Sequence, residues 1–255
     1  MKPIRILDAP DSPVLIHAPH TSRYIPSRAR RDLQVSDLEL CEELDLMTDD
    51  GVADILRECY TLVSPQPGAA VATMSRLVFD PERFEVDPME SVGMGMVYFS
   101  RADGSTLRNP LTEAELDWYR AQYRLYAFTL EQHTQTILSR HGTALIVDLH
   151  SYSKDRLPYE RHGTHRPEIC IGTNSHHTPQ WLVDAAQTAF ASRFDTALNT
   201  PYAGTYVPGR LYGAYRNVLS IMVEARRDVA TSDPAAVAAC IASALTGASD
   251  RLTAA

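Results

Sequence analysis

Three short apolar runs each lead into a side chain that can bind a metal or transfer a proton. The runs VLIHA, ALIVDL and VLSIMV are followed closely by His20, His150 and Glu224. Runs this short and this continuously apolar are typical of strands that are covered on both faces. Ligands of open α/β sheets bind at the carboxyl ends of strands, which is where these three side chains would lie. Two histidines and an acid can hold zinc, and a further carboxylate can act as a general base.

The spacing of the sequence does not decide which acid would complete such a metal site. Asp148 stands two residues before His150 on the same side of a strand, so it could bind the metal directly or fix the imidazole tautomer. His17 lies inside the first run and suits packing or support of a ligand. The densest acidic segment between His20 and His150 is EELDLMTDD, where a helical pattern begins. Its candidates are Glu43, Asp45, Asp49 and Asp50.

The other histidines stand away from these strand ends. His133 and His141 belong to a long helical pattern and its end. We expect the rest to be solvated, because they lie in or near polar loops: His162, His165, His176 and His177.

Two arginines could recognise an acidic substrate. Arg76 and Arg83 stand around the apolar stretch LVF in the segment SRLVFDPER. A guanidinium group binds a carboxylate through two parallel hydrogen bonds, so the pair suits a small acidic ligand. Surface salt bridges would explain the same pair equally well on composition alone. Arg210 follows a glycine in a loop and is a further, less distinctive candidate.

Composition excludes several classes of partner. The chain has 255 residues, 44% of them hydrophobic and 22% charged, as in ordinary globular proteins. Its formal charge of −8 argues against nucleic acid and against anionic membrane surfaces. We find no leader peptide and no apolar run of the roughly 20 residues that a membrane span needs. The four cysteines lack C-x-x-C spacing, so we expect reduced thiols in a cytoplasmic protein.

Alternation of strands and helices predicts a three-layer α/β/α architecture. We see no internal repeat and no low-complexity linker, and therefore expect a single domain over residues 1–255. The predicted strands are Pro13–Ala18, Tyr60–Ser64, Ala144–His150, Glu168–Thr173 and Val218–Glu224. Helices are predicted from about Pro110 to Arg140, where Thr112 and Glu115 form a capping box, from Thr178 to about Phe194, and after Ser232.

Six short motifs occur in the order found in one known family. They are PHTS, TDD, SRLVFDPER, DLHS, IGT and VEARRD, and they extend from Pro19 to Asp228. In this order they resemble the N-formylglutamate amidohydrolase family. The segments that begin at His150 and Glu224 are also similar to the zinc-histidine and catalytic-glutamate segments of zinc carboxypeptidases. The resemblance implies a mixed, mostly parallel sheet of about eight strands between helical layers, as in those peptidases.

The resemblance also implies a set of metal ligands. His20 and His150 would bind the ion, most suitably Zn²⁺, with Asp49 as the third ligand and Asp45 in reserve. Carboxypeptidases take two ligands from H-x-x-E, but Arg23 occupies the fourth position here and excludes that version.

Roles in catalysis and substrate binding follow from the same resemblance. Glu224 would be the general base and acid, and Arg76 would lie near the scissile carbonyl. Arg83 would hold the α-carboxylate of the substrate. Ser151 and Arg210 complete the predicted substrate contacts.

The implied reaction is the metal-dependent hydrolysis of an N-formyl or short N-acyl amino acid, such as N-formyl-L-glutamate. Formate and the amino acid would be released, and the family name implies histidine catabolism. The alternatives are a metallopeptidase or N-acyl-amino-acid deacylase on the same scaffold, and a non-catalytic protein that binds small carboxylates.

This chain departs from the family pattern at three places. Glu82 replaces an asparagine before the second arginine, and Ser22 replaces a glycine. The late N-G-R-F segment reads NTPY, ending at Tyr202, and lacks its arginine. If that arginine recognises a side-chain carboxylate, the substrate of this chain differs from N-formylglutamate.

Overall fold

A single seven-stranded sheet forms the centre of the structure. The computed structural model describes residues 1–84, 86–160 and 165–252, with side chains described through residue 248. The strands are β1 (Ile4–Leu7), β2 (Val14–Ala18), β3 (Gly68–Ala72), β4 (Ala144–Tyr152), β5 (Ile169–Gly172), β6 (Thr196–Leu198) and β7 (Val218–Arg226). Their order across the sheet is β1-β3-β2-β4-β7-β5-β6.

The sheet is mixed and mostly parallel, as predicted. β1 pairs with β3 and β5 with β7 in antiparallel fashion, and the other four pairings are parallel. The described part of the chain contains seven strands where about eight were expected. The mixed α/β fold is therefore confirmed.

Seven α-helices and one short 3-10 helix (Pro88–Val92) surround the sheet in the described residues. They are α1 (Ser27–Asp32), α2 (Asp37–Met47), α3 (Val52–Leu62), α4 (Glu113–His141), α5 (Gln180–Ala191), α6 (Arg227–Ser232) and α7 (Pro234–Leu252). α4 begins with the predicted capping box between Thr112 and Glu115 and ends at Gly142 in the left-handed conformation. Among the described helices, none combines the length and apolarity that crossing a membrane requires.

One predicted strand was wrong. The run Tyr60–Ser64 was read as a strand, but its first three residues complete α3. Ile55, Leu56 and Cys59 form the buried side of that helix, and the run continues the same helical period. A five-residue apolar run is too short to distinguish a helical from a strand period by pattern alone.

Alternation along the central strands places apolar side chains on one face and the polar ones on the other. Leu145, Val147 and Leu149 of β4 pack into the main hydrophobic core with α3, α5 and α7. Asp148 and His150 alternate with them and therefore face the side covered by α4. The same alternation puts His17 of β2 and Glu224 of β7 on the α4 side, so the polar residues of three neighbouring strands share one face.

Candidate active site

A cavity of about 510 Å³ opens at the carboxyl ends of the central strands. It brings together seven of the eight residues predicted for metal binding, catalysis and substrate contact. These are His20, Asp49, Arg76, Arg83, His150, Ser151 and Glu224.

Three potential metal-ligand atoms form a compact triangle in this cavity. His20 Nδ1 lies 3.3 Å from His150 Nδ1. Asp49 Oδ2 lies 3.0 Å from His150 Nδ1 and 3.6 Å from His20 Nδ1. Tetrahedral zinc with bonds of about 2.0–2.1 Å places its ligand atoms about 3.3 Å apart. The triangle therefore has the size of one face of a tetrahedral zinc site.

The loop that carries Asp49 is fixed by its backbone. The Asp49 amide donates to the carbonyl of His20 over 3.0 Å. Two residues later, Gly51 begins α3 with a φ of 88°. A Cβ at this glycine would lie 2.5 Å from the backbone of Ala230 in α6. Only glycine allows both this conformation and this close approach, so Gly51 lets the acidic loop pack closely against α6.

Carboxylates lie beside the opposite ring nitrogens of both histidines. His20 Nε2 lies 3.0 Å from Asp80 Oδ1, and His150 Nε2 lies 3.1 Å from Asp148 Oδ1. A carboxylate only accepts, so Nε2 of His20 donates to Asp80, whereas the aligned hydrogen bond of His150 runs from Nδ1 to Asp49 Oδ2 over 3.0 Å. A metal bound between the two rings would take the place of the Nδ1 proton of His150, with a carboxylate beside Nε2 of each ring, as in the carboxylate–histidine pairs of many metal sites.

Sequence spacing left four acids as candidates for the third metal ligand, and the structure shows which of them lies near the histidines. Asp45 is 61% exposed and forms an ion pair with Arg23, away from the histidines. Asp50 is the other carboxylate paired with Arg23. Glu43 is buried and accepts a hydrogen bond from the amide of Ala102. Of these four acids, Asp49 is the one that lies beside both histidines.

Glu224 lies directly across from His150 in the register between β7 and β4. Its Oε2 atom is buried and has no hydrogen-bond partner among the described residues. Burial raises the pKa of Glu224 to about 8, with Asp49 and Glu82 adding to the rise and His150 opposing it. A carboxyl group with this pKa can both accept and donate a proton near neutral pH.

The two predicted arginines differ in how far their donors are occupied. Arg76 donates to Asp80 Oδ2 through Nε and NH2, at 3.2 and 2.6 Å, and Nε also contacts the Tyr98 hydroxyl. Burial would raise the pKa of the Asp80 carboxyl, but Arg76 and His20 hold it well below its ordinary range. Arg83 is 25% exposed, its Nε lacks a hydrogen-bond partner, and the Asp80 carboxylate is 3.8 Å away. Arg83 therefore has donors free for a ligand.

Two other predicted substrate contacts are placed less favourably. Ser151 lines the cavity, but its hydroxyl donates to the carbonyl of Asp50 over 2.8 Å. Arg210 is not brought to the cavity: its side chain is 80% exposed and lies 3.6 Å from Glu131 on α4. The sequence around Arg210, a glycine within a loop, does not indicate which way this side chain points.

Two carboxylates of the site were not assigned a role from sequence. Asp80 supports His20 and Arg76, as described above. Glu82 lines the cavity, with Oε1 3.3 Å from His150 Nε2 and Oε2 3.9 Å from His20 Nε2. It also belongs to two groups whose donor atoms lie within 4.8 Å of one another, one with His20 and His150 and the other with His17 and Asp148. The sequence offered one indication of these two acids, which is their position between Arg76 and Arg83 in the segment DPER.

The remaining histidines take no part in the cavity where they are described. His177 was expected to be solvated but is fully buried, with Nδ1 2.7 Å from the Val218 carbonyl and Nε2 accepting from the Gly213 amide. His162 lies outside the described residues.

Comparison with known proteins identifies the family and the fold. Residues 12–230 match the family model described as N-formylglutamate amidohydrolase. No curated protein matches the sequence. The fold is similar to that of an N-formylglutamate amidohydrolase from Ralstonia eutropha, with a TM-score of 0.79, 18% identity, and coverage of 98% of this chain and 99% of that one.

A gene product of Agrobacterium tumefaciens is similar to nearly the same extent. Its TM-score is 0.76 at 20% identity, with coverage of 98% of this chain and 96% of the other. Both likenesses concern the fold, whereas the family match extends over most of the sequence. The chain belongs to the N-formylglutamate amidohydrolase family.

Proposed function

We propose that this chain is a metal-dependent amidohydrolase that cleaves the amide bond of an N-formyl or short N-acyl amino acid, such as N-formyl-L-glutamate. The products are formate, or another short acid, and the free amino acid. The observation that carries the proposal is the convergence of His20, His150 and Asp49 on one point beside Glu224. Family membership supports the amidohydrolase class, and the donor atoms support its metal dependence.

The donor set fits a divalent ion, most suitably zinc. Two imidazole nitrogens and one carboxylate oxygen are ligands that zinc prefers at catalytic sites, where a fourth position stays open. Asp80 accepts from Nε2 of His20, and Asp148 lies 3.1 Å from Nε2 of His150, so each ring has a carboxylate on the side opposite its Nδ1 atom. When bound, the ion lowers the pKa of a water molecule towards about 7 and polarises the substrate carbonyl.

Glu224 would carry the proton through the reaction. Its carboxylate removes a proton from the attacking water as the new C–O bond forms at the formyl carbon. The same proton then passes to the amide nitrogen as the C–N bond breaks, so that the amine leaves in neutral form. With a pKa of about 8, Glu224 can accept a proton and donate it again near neutral pH. The charge of a bound ion would change this pKa.

The arginines would act on the two ends of the substrate. Arg76, fixed by Asp80, places a positive charge beside the carbonyl oxygen that becomes negative in the transition state. Removal of one such donor typically costs about 10²–10³ in kcat. Arg83, with free donors, would hold the α-carboxylate and so orient the amide.

Metal content is the decisive measurement. We expect about one equivalent of zinc per purified chain and release of formate from N-formyl-L-glutamate or a related N-formyl amino acid. His150→Ala should lose both. His133→Ala is the matched control, because His133 is half-buried on α4 and lies near Asp8, outside the cavity. Wild-type protein that neither contains nor takes up a divalent ion would contradict the proposal, and a carboxylate-binding role would take its place.

We also propose that the protein acts in the cytoplasm, in amino-acid degradation. The four cysteines are all free thiols, and Cys59, Cys170 and Cys240 are buried. Free thiols are usual in a reducing compartment. The whole chain would then form one catalytic domain around the single sheet.

A further inference from the structure

We propose that Glu82 is a positioning residue of the metal site: its carboxylate accepts the Nε2 proton of His150 and keeps Nδ1 of that ring free for the metal. The inference rests on the proposed metal-dependent function. It assigns a role to the position at which this chain carries glutamate and the family pattern carries asparagine.

The first support is a pair of buried atoms that lack hydrogen-bond partners. His150 Nε2 and Glu82 Oε1 are both buried and neither takes part in an aligned hydrogen bond. They lie only 3.3 Å apart. His150 is almost fully buried, so water cannot substitute for a protein acceptor at this nitrogen. A buried N–H without an acceptor is unfavourable, and Glu82 Oε1 is the unpartnered acceptor next to it.

Asp148 is a less suitable acceptor for this proton because its oxygens already have donors. His17 Nδ1 lies 2.9 Å from Asp148 Oδ1, and the carboxylate can only accept, so His17 donates to it. The amide of Tyr206 donates to Oδ2 over 2.9 Å. Asp148 lies 3.1 Å from His150 Nε2 but is not aligned with it. Glu82 Oε1, in contrast, accepts no hydrogen bond, and the other donor near it, His17 Nδ1, is 3.7 Å away and donates to Asp148.

The backbone holds Glu82 in a fixed relation to the other histidine. The amide of Glu82 donates to Asp80 Oδ1 over 3.1 Å, and the same oxygen accepts from His20 Nε2 over 3.0 Å. One short turn thus supplies an acceptor to each metal-binding ring: Asp80 to His20 and Glu82 to His150. The side chain of Glu82 is 17% exposed, because it reaches these rings from the wall of the cavity.

A second metal site at Glu82, His17 and Asp148 is less consistent with these contacts. His17 Nδ1 donates to Asp148, so its lone pair is on Nε2, which accepts from the hydroxyl of Tyr126 over 2.7 Å. Binding a metal through Nδ1 would reverse this tautomer and leave the buried Tyr126 hydroxyl proton without an acceptor. The existing hydrogen bonds satisfy His17 without a metal.

The test is the zinc affinity of metal-free protein, measured without substrate by competition with a chromophoric chelator. Carboxylate partners of metal-binding histidines typically contribute about 10–100-fold to metal affinity. We therefore expect Glu82→Ala to raise the zinc Kd by about that factor. Glu82→Gln should raise it less, because the amide oxygen still accepts a proton.

Glu43→Gln provides the matched control. Glu43 is also a buried glutamate, but it accepts from the Ala102 amide and does not line the cavity. The zinc affinity of the Glu43→Gln variant should equal that of wild type. Thermal melts of the metal-free variants check folding, and Glu82→Gln serves if Glu82→Ala does not fold.

Four outcomes would separate the possibilities. Weaker zinc binding in both Glu82 variants, with an unchanged Glu43→Gln control, supports the inference. Wild-type affinity in folded Glu82 variants overturns it, including the case in which activity alone falls, since Glu82 would then act on substrate. Loss of the single zinc from the folded Glu82 variants, or two zinc equivalents in wild type of which one is lost with Glu82, would make Glu82 a ligand and also overturn it. Absence of zinc binding in wild type would instead refute the proposed function.

Discussion

Replacing Glu224 by glutamine exchanges a carboxyl group for a neutral amide of nearly the same size at the carboxyl end of β7. The pKa of Glu224 rises from 4.5 to about 8 in the folded, metal-free protein, with burial as the largest cause. The folded state therefore holds a proton that the unfolded chain releases in this range. Because the folded state binds more protons, the free energy of unfolding falls as the pH rises from about 4.5 to about 8.

The glutamine side chain does not titrate, so the free energy of unfolding of the variant should not fall in this way as the pH rises. One pH unit between the two pKa values corresponds to about 1.4 kcal/mol. The variant should thus be more stable than wild type by at most roughly 5 kcal/mol above pH 8, and by roughly 3 kcal/mol at pH 7. Both figures are upper bounds, because Glu224 lines the cavity and water there solvates part of the charge. Below about pH 4.5 the two proteins should be equally stable.

Urea denaturation of chelator-treated wild type and Glu224→Gln at about pH 5, 7 and 8.5 measures the difference. The metal-free form is required, because a bound cation would change the pKa of a neighbouring carboxyl group. In parallel, the zinc-loaded variant should keep its metal and lose formate release. A variant that is more stable but inactive would fit a residue whose burial serves catalysis at the expense of stability.

Two results would refute this reasoning. A stability difference that does not depend on pH would mean that Glu224 is ionised in the folded protein at neutral pH. The raised pKa would then be wrong, although an ionised carboxylate could still take the proton from the attacking water and pass it to the amine. Wild-type turnover in Glu224→Gln would remove Glu224 from proton transfer altogether.

Three further predictions concern the cavity. Asp49→Asn should lower zinc content, whereas Asp45→Asn should retain it, as elemental analysis would show, since Asp45 is exposed and paired elsewhere. Arg83→Lys should raise KM at least tenfold with little change in kcat, because lysine cannot grip a carboxylate with two parallel bonds, an effect of about 1.4 kcal/mol. A substrate without an α-carboxylate should show no such change. Pro201 and Tyr202 line the cavity in the segment that lacks the family arginine, so kcat/KM for N-formyl-phenylalanine should equal or exceed that for N-formylglutamate. A strong preference for the glutamate derivative would contradict this reading of the cavity wall.

The centre of the sheet could be predicted from sequence because its strands are buried on both faces. β2, β4 and β7 lie in the middle of the strand order and consist of continuous apolar runs. β1 and β6 are edge strands of four and three residues, too short for a period to emerge. β3 reads GAAVA, and its small residues carry little strand preference. Its place in the sheet comes from pairing with β1 and β2, which is information from distant parts of the chain.

The proposed metal ligands divide in the same way. His20 and His150 follow predictable strands, so their position at one edge of the sheet could be inferred. Asp49 lies in the short break between α2 and α3, where spacing gives no direction to a side chain. Its placement depends on a backbone hydrogen bond to His20 and on the close contact of Gly51 with α6. Family resemblance named Asp49, and the structure brings it to the two histidines.

The segment from Arg76 to Arg83 explains why periodicity could not reveal the rest of the site. It contains no helix or strand and is held by turns, such as the hydrogen bond from the Arg83 amide to the Asp80 carbonyl. Within these eight residues lie the two cations proposed to bind the substrate, and the carboxylates Asp80 and Glu82 proposed as acceptors for the rings of His20 and His150. A turn of this kind couples substrate binding to ligand orientation, because a shift of its backbone moves both sets of side chains together. A substitution within it that preserves charge but alters the turn should therefore change zinc affinity and KM together, which independent sites for metal and substrate would not do.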